Sequence, residues 1–213
     1  MSILHQWFGS LKVLFSGIER GSAERDLEEL AAQAERAPAG ARWAIFNRLG
    51  DAYLKAGDRP RALRYFGRAI DCLLEDDQPG PARAVVKKVV RMHPQAVRTL
   101  CTLIWIDLAS QKTSAAVTTL QEYAEAAQAG NQTRLACGQV LEMARLVADR
   151  RFLEQASAAL ETLGCSADAA QAMEWAHAGG SSDAPSDPEE IRSLCLKAAI
   201  GSNVKMKTRG SVA

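Results

Sequence analysis

Cysteine and histidine are the side chains of this 213-residue chain best suited to metal binding or nucleophilic chemistry. The five cysteines are separated by 28 to 36 residues, so no Cys-x-x-Cys pair offers a local start for a zinc site. Their odd number and apolar surroundings predict free, buried thiols in a reducing compartment. They are Cys72, Cys101, Cys137, Cys165 and Cys195.

The three histidines, His5, His93 and His177, lie far apart, which excludes the metalloprotease pattern of two histidines on one helix turn. The sequence contains no Gly-x-Ser-x-Gly, no P-loop and no Gly-x-Gly-x-x-Gly. Its acidic residues are scattered over polar helix faces. We therefore predict no catalytic, cofactor-binding or metal-binding residue, and we expect that the protein is not an enzyme.

The overall composition is that of an ordinary globular chain. It is 47% apolar and 24% charged, with 26 basic and 25 acidic residues. A net charge of +1 argues against a histone-like cation or an acidic tail. The length is sufficient for one sizeable core.

Apolar residues recur at helical spacing along most of the chain, and no segment alternates as a β-strand would. Glycine and proline divide the helical runs from one another. We predict an all-α fold with a turn at 78–81. The predicted helices cover about 22–38, 41–56, 60–75, 82–92, 95–110, 114–129, 132–148, 151–163, 168–178 and 188–200.

Residues 1–20 are predicted to form an amphipathic helix that is too short to span a bilayer. Its apolar face either packs on the fold or on a partner, or lies in the plane of a membrane surface. The candidate docking residues on that face are Leu4, Trp7, Phe8, Leu11 and Phe15.

The C-terminal part begins with residues 179–187, whose Gly, Ser, Asp and Pro content predicts a flexible linker. Residues 188–213 are predicted to form a tethered helix followed by a basic tail. The tail is expected to fray, with contact to anionic lipid or nucleic acid as the alternative.

Two predicted helices within 43–76 have the spacing of a tightly packed pair. Leu49, Gly50 and Tyr53 lie on the first, and Ala62 and Phe66 lie on the second. Gly50 and Ala62 would allow close approach. These residues, followed by Ala69, resemble the tetratricopeptide repeat family, and more degenerate units extend the resemblance over 21–178. The resemblance implies a solenoid of antiparallel helix pairs.

The spacing of the small residues fits the 34-residue period of that family only in part. Ala82 and Ala116 are 34 residues apart, whereas Ala62 and Ala82 are only 20 apart. One helix, at about 60–75, would then serve as the second member of one pair and the first of the next.

Stacked helix pairs leave a concave surface, and the resemblance implies that this surface holds a peptide or helix of another protein. The well-matched unit places Asn47, Asp51, Leu54 and Lys55 on it. A looser alignment adds Arg98 and Trp105, although Trp105 could instead belong to the core. Asn47 and Asp51 depart from the pattern of the carboxylate-clamp subset.

Segment 42–98 carries twelve basic and six acidic residues, which favours an acidic protein partner. Nucleic acid is the rival, but few aromatic residues accompany the charges, and a solvated helix face would also explain them. We expect a cytoplasmic scaffold or adaptor. One alternative is a membrane-associated assembly factor, or a subunit of a larger complex, that is attached through residues 2–18. The other is an enzyme or a nucleic-acid binder on a helical scaffold.

Overall fold

The computed structural model describes residues 25–204, with side chains to residue 201, and this part of the chain is all-α with no strand. The predicted fold class is confirmed at that level. The predicted N-terminal helix at 1–20 and the basic tail lie outside the described residues. The described residues form ten helices: α1 (25–36), α2 (Ala39–Lys55), α3 (Arg59–Glu75), α4 (Pro79–Met92), α5 (Val97–Ala109), α6 (Thr113–Ala129), α7 (Thr133–Leu146), α8 (Arg150–Thr162), α9 (Ser166–Ala178) and α10 (Pro188–Val204).

The predicted turn at 78–81 is wrong, because α4 begins within it. Gln78 is the N-cap of α4 and Pro79 is its first residue. The first N–H groups of a helix have no acceptor within that helix, so Pro79 and Pro81 remove no hydrogen bond there. The segment Gln78-Pro-Gly-Pro81 therefore marks the start of α4 and not a break between two helices.

Six of the helix ends in the described part of the chain are closed by the same turn. A residue with φ between +54° and +83° follows the helix, and the N–H after it donates to the carbonyl five residues back at 2.7–2.9 Å. This hydrogen bond satisfies one of the carbonyls that a helix end leaves without a partner. The six left-handed residues are Gly57, Asp77, Gln111, Asn131, Gly164 and Gly179.

The first five of these turns follow one another at intervals of 20, 34, 20 and 33 residues, so equivalent positions among them recur every 53 or 54 residues, whereas the sixth, at Gly179, comes 15 residues after Gly164. Burial follows the same interval, because Ala62, Ala116 and Ala169 are all buried at equivalent places. The repeating unit of turns and buried positions thus contains three helices. The 34-residue spacing seen in the sequence is one of two alternating spacings.

The chain divides into two compact units, and the division between Ala69 and Ile70 falls within α3. In the first unit, Gly50 of α2 faces Phe66 of α3. A Cβ atom at Gly50 would lie 2.5 Å from the Phe66 ring. The close approach predicted at Gly50 is therefore an approach to Phe66, which occupies the space that a side chain on α2 would need.

The second unit is built around α5, which is buried at every position from Leu100 to Ala109. Helices α4, α6 and α10 pack against α5, while α8 packs against α6, α7 and α9. The buried carboxylate of Asp107 on α5 is bound by Arg83 of α4 through two hydrogen bonds. The C-terminal helix α10 thus covers a side of α5, and Cys195 and Ala199 are buried there.

The most apolar of these elements, α5, has only 13 residues. A membrane-spanning helix needs about 20 apolar residues, and the burial of α5 against its neighbours accounts for its composition. Between residues 25 and 204, the structure contains no helix long and apolar enough to cross a bilayer.

Candidate functional site

An open groove of about 720 Å³ lies in the second unit, between α5, α7 and α10. Four residues of α5, five of α7, three of α10 and one of α6 line it. Its volume is in the range of pockets that bind small ligands or parts of peptides. Because helices supply every wall, the lining side chains are held on a regular backbone.

One glutamine of α7 joins two walls of the groove. The Oε1 atom of Gln139 accepts a hydrogen bond from the Trp105 indole N–H at 3.0 Å and lies 3.6 Å from the Cys101 thiol. Trp105 can only donate, so this contact identifies which amide atom of Gln139 is the oxygen. These contacts set the register of α7 against α5.

The α7 wall has an apolar rim and an open middle. Leu135 is 46% exposed, and it is the one large apolar side chain so exposed among the residues for which burial is described. Gly138 follows one turn later, and a Cβ atom added there would meet nothing within 4 Å. The groove therefore has free space at Gly138, beside the solvent-exposed side chain of Leu135.

Basic side chains surround the same space. Arg98 is half-buried, while Arg134 and Lys197 are exposed. Burial lowers the pKa of Arg98, and the nearby Asp71 carboxylate opposes that shift. The one lining carboxylate, Glu142, accepts a hydrogen bond from Arg145 at 2.7 Å. The lining side chains therefore carry an excess of positive charge.

The thiol and the phenol in the groove are both protonated near neutral pH. Burial raises the pKa of the Cys101 thiol to about 12, and burial also raises the pKa of Tyr123. A thiol attacks as its thiolate, so Cys101 is a poor nucleophile here. In the part of the chain that the structure describes, no cluster of His, Cys, Asp or Glu could hold a metal ion.

Cys137, in the middle of α7, forms a disulfide with Cys165 at the beginning of α9. Their Cα atoms are 6.5 Å apart, within the usual range for such a bond. The prediction that all cysteines are free is therefore wrong for this pair, and holds for Cys72, Cys101 and Cys195 in that none of them is disulfide-bonded. Tertiary packing of α7, α8 and α9 brings together two cysteines that are 28 residues apart in sequence.

The six partner-binding residues predicted from the sequence fall in both units. Asn47, Asp51 and Leu54 are half-buried and Lys55 is exposed along one face of α2, in the first unit. Arg98 lines the groove of the second unit. Trp105 has no exposed surface and packs in the core of the second unit, and it also lines the groove from beneath.

The groove residues on α7 and α10 were not among the site residues predicted from the sequence. Leu135, beside Arg134 at the start of α7, was a detectable signal, because an apolar residue breaks an otherwise polar helix face there. Gly138 and Lys197 carried no signal of their own. Their role depends on the positions of α7 and α10 beside α5, which spacing along the chain does not reveal.

Comparisons of this chain with protein-family models, with curated proteins and with solved structures give no match. The groove itself therefore indicates the function, through its size, its exposed apolar rim, its basic side chains and its protonated thiol and phenol.

Proposed function

We propose that this protein is a non-enzymatic interaction scaffold or adaptor that binds a peptide or helix of another protein. The observation that carries the proposal is the open groove of about 720 Å³ between α5, α7 and α10. Leu135 offers apolar contact on its rim, and the Nε2 donors of Gln139 remain for a peptide carbonyl because its oxygen is already used.

The packing of the second unit supports a solenoid resembling the tetratricopeptide repeat proteins. From α4 to α9 each helix contacts the next in sequence, and α6 also contacts α8 while α7 contacts α9; α10 packs on α5 instead. Such contacts between next-but-one helices are expected when helix hairpins stack in a row. The proposed solenoid differs from the sequence-based expectation in its interval, since three helices make up each 53- or 54-residue period.

The predicted cytoplasmic location stays a prediction. The disulfide between Cys137 and Cys165 counts against a constantly reducing compartment, because intracellular reductants usually keep such thiols apart. The binding proposal does not depend on the compartment, since the groove is a property of the folded chain.

A selection from a random peptide library, followed by affinity measurement on two variants, tests the proposal. Gly138→Trp fills the groove without entering the core, because the space around that Cβ position is open. Gly80→Trp is the matched control, because its Cβ position is equally open but does not line the groove. We expect the selected peptides to bind wild type and Gly80→Trp and to lose binding to Gly138→Trp. Equal binding to all three proteins, or no selected peptide, would contradict the proposal.

A further inference from the structure

We propose that the groove is selective for an acidic peptide segment of a partner protein, in which a carboxylate stands next to an apolar side chain. The inference rests on the proposed function and deepens it. Three cationic side chains, on three different helices, would surround the carboxylate: Arg98, Arg134 and Lys197.

The register between α5 and α7 brings two of these cations to one end of the groove. Gln139 contacts both Cys101 and Trp105, so it lies level with the middle of α5 between them. Short turns join α5 to α6 and α6 to α7; in the proposed stack of antiparallel hairpins, α5 and α7 therefore run in the same direction. Arg98 and Arg134 are then level with each other, each in the first turn of its helix.

Two of the three cations, Arg134 and Lys197, form no ion pair with another residue of the described part of the chain. Glu142 lies two turns further along α7 and is engaged by Arg145. Partial burial destabilises the charged form of Arg98 more than the Asp71 carboxylate stabilises it. A further carboxylate would therefore stabilise that charge.

Apolar surface adjoins the cations at two points. Leu135 follows Arg134 on α7, and Val97 precedes Arg98 on α5. The exposed Leu135 would be covered by an apolar ligand side chain. A ligand that uses both features therefore has its carboxylate and its apolar side chain close together, as neighbouring residues of a peptide do.

A peptide fits these side chains better than a nucleic acid does. Single-stranded nucleic acids bind through bases stacked on accessible aromatic rings. The aromatic residues at this groove, Trp105 and Tyr123, are buried, at 0% and 1% exposure. Phosphate contacts alone would use the cations but leave Leu135 uncovered.

Fluorescence anisotropy with two matched pools of short peptides tests the inference. Every member of the acidic pool has an aspartate beside a leucine, and the amide pool has asparagine in place of aspartate. We expect the acidic pool to bind wild type at least about tenfold more tightly at low salt, and added salt to reduce the difference. Arg134→Glu and Lys197→Glu should each remove most of this preference. Arg151→Glu is the control, because Arg151 is exposed outside the groove.

The outcomes separate this inference from the proposed function. If both pools bind equally and Gly138→Trp abolishes both, the groove binds peptides without acidic selectivity and the inference alone fails. If neither pool binds in a way that Gly138→Trp abolishes, both proposals fail. A single-stranded oligothymidylate that binds more tightly than the acidic pool, and is lost in the same charge-reversed variants, would overturn the choice of a peptide.

Discussion

The indole N–H of Trp105 donates a hydrogen bond to the side-chain oxygen of Gln139 at 3.0 Å, linking α5 to α7. Both residues line the groove, but Trp105 is fully buried beneath it whereas Gln139 is partly exposed in its α7 wall. The contact therefore connects the core of the second unit to the surface on which we place the peptide. A partner that binds at this groove would contact a wall whose position the core determines.

Replacing Gln139 with methionine should lower the free energy of unfolding by about 1–3 kcal/mol, because the buried Trp105 donor loses its acceptor. Gln121→Met is the control. Gln121 is exposed on α6 and bonds only to Glu125, one turn away on the same helix, so its replacement should change little. Urea denaturation of both variants measures the difference. Equal stability of the two variants would contradict the structural role of Gln139.

Gly50→Ala should destabilise the protein by about 1–3 kcal/mol, because the added methyl group would overlap the Phe66 ring. Gly67→Ala is a matched control on the next helix, where a Cβ atom meets nothing within 4 Å. That variant should gain up to about 1 kcal/mol from the higher helix propensity of alanine. Opposite signs in thermal or urea denaturation are expected, and a stabilised Gly50→Ala would refute the close contact.

Arg83→Gln should cost about 3–5 kcal/mol of stability, because it leaves the buried carboxylate of Asp107 without its counter-ion. Adding Asp107→Asn to that variant should restore part of the loss, since the remaining buried group would then be neutral. Arg150→Gln removes an exposed ion pair with Glu154 and should cost less than about 1 kcal/mol. Similar losses for Arg83→Gln and Arg150→Gln in urea denaturation would count against the buried pair.

Reducing the Cys137–Cys165 disulfide with dithiothreitol should lower the free energy of unfolding by about 3.5 kcal/mol, the value expected for a loop of this length. The double variant Cys137→Ser with Cys165→Ser should be less stable to begin with and should not respond to dithiothreitol. Urea curves with and without the reductant give both values. A wild-type curve that does not move on verified reduction would show that the bond contributes nothing.

Local pattern was enough to predict the helices. Gly57 and Gly164 end α2 and α8 where the sequence indicated, and the buried stripe through Phe46, Leu49 and Tyr53 follows from helical spacing alone. The close approach at Gly50 was also predictable, since only glycine leaves room for a ring against the helix backbone. Such features depend on residues near one another in the sequence.

Features that depend on distant helices were not predictable. Nothing near Cys137 indicates that α8 and α9 will carry Cys165 to it. The apolar run of α5 was compatible with an exposed anchor at Trp105 until the packing of α10 against α5 was known. The groove itself depends on the same packing, so its α7 and α10 residues emerge only from the assembled second unit.

The most direct test of the account is an NMR titration of the ¹⁵N-labelled protein with a peptide taken from the library selection. We expect the largest amide shift changes at Leu135, Gly138, Gln139 and Lys197, with Gly80 unaffected. Changes concentrated instead on the α2 face that carries Asn47, Asp51 and Lys55 would place the partner in the first unit, and would contradict a binding site between α5, α7 and α10.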